Sequence, residues 1–282
     1  MAVKHRVAFQ GEHGAFSELA AKHFFGKSMV ASPVKTFDDV FKAVLRRSVD
    51  AGIVPVENSL YGSIHQTYDL LRKHSLNIIG ELKLRIVHAL MANRGVTLRD
   101  VNFIYSHPQA LGQCESFLNR LKNCEIVAVY DTAGAAKMIK EERRTDAAAI
   151  ASLEAARVYG LNVLKRGIES DHRNFTRFLI LSRKKIIATA GAKTSIIFSM
   201  KDIPGALFKA LSVFALRGIN LHKIESRPIV GKPWEYLFYL DFQGTIRDEA
   251  CRKALGHLRE IASYLKILGS YPAGKTIGGS GQ

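Results

Sequence analysis

The chain has 282 residues, 47% of them hydrophobic and 23% charged, enough for one large or two ordinary domains with real cores. That composition excludes a disordered chain, a collagen-like chain and a small disulfide scaffold. Lys and Arg outnumber Asp and Glu by 41 to 25, a net charge of +16 that would suit a nucleic-acid binder. The bases are spread out, however, in runs no longer than Arg183-Lys184-Lys185. This is the pattern of a solvated basic surface, whose field would also draw in an anionic small molecule. Cys114, Cys124 and Cys251 are widely spaced and form no Cys/His grouping for zinc, so reduced thiols, a cytoplasmic location and no metal or other cofactor are expected. No apolar stretch approaches the roughly 18–20 residues of a membrane helix, so no membrane partner is expected.

Along the chain, short β-rich runs alternate with helical runs up to about Ser182. Residues 6–10 read as a strand turned by Gly11-Glu12-His13-Gly14, a tight turn or an anion cradle, into a helix over 18–25. A second helix over 36–47 is capped by Thr36, with Asp38 and Asp39 in its first turn. Residues 51–56 read as a buried strand, 64–72 as a helix, and 78–91, 102–105, 125–129 and 174–181 as further strands. Helices are expected over 108–121, 132–140 and 152–159. So many units in about 180 residues suit two α/β lobes better than one sheet. Residues 183–192 change character and read as a linker. Residues 193–273 then read βαββαβ, the ferredoxin-like order, and 274–282 as a loose tail.

Three polar clusters fall where a strand runs into a helix: Glu57-Asn58-Ser59, Ser106-His107-Pro108-Gln109 and Asp131-Thr132. The carboxyl ends of strands are the usual ligand edge of an open α/β sheet, although each cluster could equally be capping or Asx-turn chemistry. A fourth segment, Asn174-Phe175-Thr176-Arg177-Phe178, carries a cation and two polar groups among apolar neighbours. In a regular strand Thr176 and Phe178 face one way and Phe175 and Arg177 the other, so without a bulge Thr176 and Arg177 cannot share a cleft.

At these residues the chain resembles the prephenate dehydratases over nearly its whole length. VPVENS with Gly62, SHPQAL, DTAGAA and NFTRF occur in the family's order, followed by GALFKAL and GINLHKIESRP, which resemble the ACT regulatory domain of the same enzymes. Two features depart from the common bacterial pattern: Ala15 stands where many members have Thr or Ser, and Leu60 to His65 look more like the plant arogenate dehydratases. The resemblance implies a two-lobed catalytic domain over 1–182, built like a type II periplasmic binding protein with a cleft between the lobes, and an ACT domain over 193–273. It also implies that Thr176 is essential.

The implied reaction is the decarboxylating dehydration of prephenate to phenylpyruvate, CO2 and water in phenylalanine biosynthesis. Aromatisation drives it, so the protein has to bind, orient and assist departure of the ring hydroxyl. Thr176 is assigned as the hydrogen-bond donor to that hydroxyl, with His107 as the rival acid. Glu57, Asn58, Ser59, Ser106, His107, Gln109, Thr132, Phe175, Arg177 and Phe178 are assigned to substrate binding. Phenylalanine is the expected effector, held by Asp202, Pro204, Gly205, Ala206 and Leu207 with Asn220, Leu221, Glu225, Ser226 and Arg227 between ACT domains paired in a dimer or tetramer. Direct production of phenylalanine from arogenate is the alternative. A non-catalytic sensor of an aromatic acid is a rival of another class, as is an RNA binder built on residues 232–239.

Overall fold

The computed structural model describes residues 4–189, 191–229 and 231–278. The chain opens with β1 (Arg6–Gln10), α1 (Phe16–Phe25), β2 (Val30–Val34), α2 (Phe37–Leu45) and β3 (Ala51–Asn58). β1 pairs in parallel with β2 on one side and β3 on the other, so α1 and α2 are the crossovers of two parallel steps. Thr36 starts α2 with a reciprocal capping box: its Oγ1 accepts from the Asp39 amide while the Asp39 carboxylate accepts from Thr36 N. β4 (Gly62–Ser63) folds back on β3, and α3 (His65–Lys73) and β5 (Asn77–Arg85) follow. Strand β2, unexpected from a run interrupted by Pro33, lies at the edge of its sheet, where a missing N–H is tolerated.

The next stretch holds β6 (Ala89–Ala92), β7 (Phe103–Ser106), α4 (Pro108–Gln113), α5 (Glu115–Leu118), β8 (Glu125–Ala128), α6 (Thr132–Glu141), β9 (Ala147–Ala151), α7 (Leu153–Tyr159) and β10 (Asn162–Arg166). They form a five-stranded sheet in the order β10-β6-β9-β7-β8. Strand β9, sequence AAAIA, is the element that propensity conceals: alanine is a poor strand former, yet all five residues are buried in mid-sheet. The run 78–91, read from sequence as one strand, is two, broken at Ile86-Val87-His88, where the His88 amide bonds the Glu169 carboxylate. The helix expected over 108–121 is likewise two, because Cys114 leaves helical geometry at φ −106°, ψ 12°.

After β11 (Phe175–Ser182) come β12 (Ala192–Ser199), α8 (Ala206–Ala215), β13 (Leu221–Ile229), β14 (Lys232–Gln243), α9 (Glu249–Ile261), β15 (Tyr264–Pro272) and β16 (Lys275–Ile277). The larger sheet runs β16-β5-β11-β3-β1-β2 with β4 attached to β3. The tail expected from 274 onward is therefore a strand over 275–277, and 279–282 lie outside the described residues. The linker expected over 183–192 gives up Ala192 to β12. No helix among the described residues is long and apolar enough to cross a membrane.

Among the described residues two compact units emerge: residues 4–67 with 82–178 and 276–278, and residues 68–81 with 179–275. The second holds the four-stranded antiparallel sheet β13-β14-β12-β15, the ferredoxin-like order of a βαββαβ chain. On one face α8 and α9 bury Ile196, Phe198, Val213, Phe214, Leu240, Phe242, Leu255 and Leu258. Within the same unit the other face meets residues 68–81. There Tyr239 donates to Tyr68 O, Lys266 Nζ donates to the carbonyls of Leu71, Arg72 and His74 at the end of α3, and Lys193 pairs with Glu81 at 2.6 Å, both side chains buried. Segment 68–81, assigned from sequence to the catalytic domain, packs with this four-stranded sheet.

Candidate active site

A cavity of about 450 Å³ opens in the first unit. The amino ends of several helices supply its lining: Ala15, Phe16 and Ser17 from α1, Thr36 and Phe37 from α2, His107 and Gln109 from α4, and Asp131 and Thr132 from α6. Helix amino ends expose unpaired N–H groups and a positive partial charge, so this arrangement favours an anion. Of these four helices only α1 begins without a side-chain cap, at Ala15, the residue that departs from the family pattern. No Lys or Arg lines the cavity among the described residues, so the donors it can offer an anion are backbone and neutral side-chain groups.

Thr176 and Phe178 of β11 line the cavity, as does Asn58 from the end of β3. Asn58 is 2% exposed, and its Oδ1 accepts from the amides of Leu60 and Tyr61 in an Asx turn, which fixes the amide orientation. Its Nδ2 therefore donates both to Asn174 Oδ1 at 2.8 Å and to Thr176 Oγ1 at 3.0 Å. Because the Thr176 oxygen already accepts a hydrogen bond, its own proton is available to be donated.

His107 caps a helix and lines the cavity at once. Its Nδ1 accepts from the Gln109 amide and caps α4, which leaves Nε2 as the N–H of the neutral ring, and the residue also lines the cavity. Burial holds its pKa below the ordinary histidine value, with Asp131 opposing, so the ring is neutral at pH 7. Asp131 shifts upward through burial, against hydrogen bonds from the amides of Glu12, Gly134 and Thr132.

Five residues assigned to the substrate are placed elsewhere. Arg177 is 7% exposed and pairs with Glu57 at 3.7 Å; neither residue lines the cavity, as strand alternation requires once Thr176 faces inward. Ser106 is fully buried, and its hydroxyl donates to Ile150 O of the neighbouring β9 at 2.7 Å. Ser59 ties β3 to β11, donating to Arg173 O and accepting from the Phe175 amide, and Phe175 is likewise absent from the lining. The Gly11–Gly14 turn is no anion cradle either. Gly11 N meets Val34 O, Glu12 N meets Asp131, Gly14 N meets Glu18, and Gly14 O accepts from Ser152. A Cβ on Gly14 would lie 2.5 Å from Ala155 Cα, so the turn's closeness to α7 demands glycine.

Sequence reading missed Gln66, His88 and Gln113, which also line the cavity. Gln113 stands four residues after Gln109, one helical turn along SHPQALGQ, and that spacing was a usable signal. His88 gave none, because it lies inside what reads as an uninterrupted strand.

In the second unit a cavity of about 240 Å³ lies at the start of α8, lined by Asp202, Gly205, Ala206 and Leu207 together with Ile203, Phe208, Glu235, Tyr236 and others. Pro204, Asn220, Leu221, Glu225, Ser226 and Arg227, expected at the effector site, do not line it. Arg227 instead binds Asp69 at 3.1 Å, and Glu225 pairs with Lys223 on the alternate positions of β13.

Comparison with known proteins divides the chain by sequence, and places 68–81 with the first domain although it packs in the second unit. A family model described as prephenate dehydratase matches residues 7–186, and one described as ACT domain matches residues 194–258. Arogenate dehydratase/prephenate dehydratase 2 of Arabidopsis thaliana is 50% identical over 283 residues, covering 96% of this chain and 74% of its own. The structure of the Arthrobacter aurescens prephenate dehydratase in complex with L-Phe matches with a TM-score of 0.87 at 32% identity, covering 95% of this chain and 90% of that one. GqqA, described as a novel type of quorum quenching acylase, matches with a TM-score of 0.87 at 34% identity over 95% of this chain and 98% of its own.

Proposed function

Because the chain belongs to the prephenate dehydratase family, we propose that it converts prephenate to phenylpyruvate, CO2 and water in the 450 Å³ cavity, under control by phenylalanine at its ACT domain. The observation that carries this reading is Thr176, which lines the cavity and whose oxygen accepts from Asn58, leaving its own proton to be donated. As the C–C bond to the ring carboxylate breaks, its electrons move through the diene and expel the hydroxyl at the far carbon. The hydroxyl leaves as water with one proton taken up. Thr176 donates a hydrogen bond to that departing oxygen, and the neutral His107 Nε2–H is a second donor. The two substrate carboxylates are balanced by the helix amino ends. Phe178 and Phe16 exclude water around the carboxylate that is lost, which narrows its gap to neutral CO2.

An acylase reading would need a base beside the nucleophilic hydroxyl, whereas the protein partner of Thr176 is the Asn58 amide, a donor. The arogenate alternative draws on a different observation: Asp131 is an acid in the lining, suited to an ammonium group, and the Arabidopsis relative bears both activities in its name. Assaying purified protein with prephenate and arogenate side by side decides between them. Higher kcat/KM on prephenate supports the main reading; higher kcat/KM on arogenate replaces it.

For the effector, the amino end of α8 with its uncapped Gly205 suits an amino-acid carboxylate, and Ile203, Leu207 and Phe208 suit an aromatic side chain. Phenylalanine acts at a distance by binding one arrangement of paired ACT domains better than another, in a dimer or tetramer.

A further inference from the structure

His88 sits in the break between β5 and β6, 2% exposed, with its ring edge-on to Phe16 at 5.3 Å. Its backbone is fixed on both sides: the amide donates to Glu169 Oε2, and the carbonyl accepts from the amides of Gly167 and Ile168. Its Nε2 lies 2.6 Å from Gln113 Oε1, and Gln113 is 6% exposed. The other ring nitrogen, Nδ1, is buried and has no hydrogen-bond partner. Both residues line the cavity.

That orphaned nitrogen settles where the ring proton sits. A proton on Nδ1, in the neutral ring or the imidazolium, would be a buried N–H without an acceptor, the rarer and costlier kind of unpaired group. Burial also holds the ring below the ordinary histidine pKa. The proton is therefore on Nε2, which donates to Gln113 Oε1 and fixes the Gln113 amide with its oxygen toward the imidazole. The two amide N–H groups are then left for the cavity. The alternative tautomer would turn the amide over and present a carbonyl oxygen to a ligand whose own polar atoms are mostly acceptors.

We propose that His88 is a positioning residue, which locks Gln113 as an N–H donor toward an oxygen of the bound substrate. The inference rests on the prephenate reading for its kinetic test, and one readout is independent of turnover. His88→Leu, which removes the ring N–H, lowers kcat/KM on prephenate about tenfold or more. His88→Gln, whose amide reaches the position of Nε2, recovers most of that loss. His88→Asn, whose amide reaches only the position of Nδ1, does not. In the Gln113→Ala background the His88→Leu change has little further effect, because the group it positions is gone.

A side chain that serves packing alone would show no Gln/Asn contrast and would act additively with Gln113→Ala. Either result overturns the proposal. If the Leu variant fails to fold, 15N NMR of the parent decides: pyrrole-like Nε2 with pyridine-like Nδ1 at pH 7 is expected, and the reverse tautomer or an imidazolium contradicts it. A parent that shows the expected tautomer but does not turn over prephenate defeats the functional reading and leaves the His88–Gln113 geometry standing.

Discussion

Replacing Thr176 by alanine removes the hydroxyl assigned to the departing oxygen while disturbing little else. Asn58 Nδ2 keeps its bond to Asn174 Oδ1, and the Asx turn that orients Asn58 is untouched. The lost Asn58–Thr176 bond therefore costs stability by about 1 kcal/mol. Loss of one donor to charge that develops only in the transition state costs about 2.7–4 kcal/mol, or a factor of roughly 10² to 10³ in kcat. KM changes modestly, because the helix amino ends still hold the carboxylates. Thr176→Ser keeps the hydroxyl and retains much of the rate. The assay is steady-state formation of phenylpyruvate, with urea unfolding run on the same samples. An alanine variant with kcat within about threefold of the parent, or a serine variant as slow as the alanine one, would refute the assignment. A folded His107→Ala variant with the larger loss would move the donor role to His107.

Other consequences follow from the same geometry. Glu57→Gln weakens the partner of the buried Arg177, so unfolding in urea should show a loss of about 1–2 kcal/mol, with kcat within about threefold of the parent; a collapse of kcat in the folded variant would return Arg177 to the substrate. Gly205 has φ +75° with open space around the position of a Cβ, so Gly205→Val strains the amino end of α8 through its backbone conformation. The half-inhibitory phenylalanine concentration should rise about tenfold or more while kcat is spared; unchanged inhibition would place the effector elsewhere. Glu154 bonds Arg157 and Lys22, and these partners hold its pKa at about 2 against the opposing effect of burial. Its pKa is depressed in the folded state, so the stability it contributes is present above the unfolded value near 4.5 and is lost as pH falls toward 2. After solvent screening this is on the order of 1 kcal/mol, and thermal unfolding between pH 5 and 3 should be flatter for Glu154→Gln than for the parent.

Much of this was legible in the residues because local chemistry and tertiary context agreed. The Thr36 capping signal and the period-two alternation that separates Thr176 from Arg177 hold in the structure, and of the polar residues at strand ends Asn58, His107, Gln109, Asp131 and Thr132 line the cavity. The misplaced residues share a cause. Ser106, Ser59 and Glu57 are the polar side chains expected of a ligand edge, but each answers a demand of the sheet itself: a neighbouring carbonyl, a strand end, a buried cation. No sequence spacing distinguishes a hydroxyl that bonds backbone from one that faces a cavity. The alanine-rich β9 was hidden because burial on both faces, rather than propensity, makes it a strand. His88 was hidden because a strand break leaves no periodic mark, and the packing of 68–81 with the regulatory sheet is a long-range relation that no local signal carries.

One measurement bears most directly on the claim that this cavity removes carboxylate and hydroxyl together using only neutral donors and helix ends. Among the described residues no three His, Cys, Asp or Glu side chains gather where they could hold a metal ion. Prephenate labelled with 13C at the ring carboxylate, given to chelator-treated enzyme and followed by NMR, should yield labelled CO2 and phenylpyruvate in equal amounts at the rate of untreated enzyme, and should give neither with Thr176→Ala on the same timescale. Retention of the label in an organic product, or activity that chelation removes and a metal restores, would contradict the account.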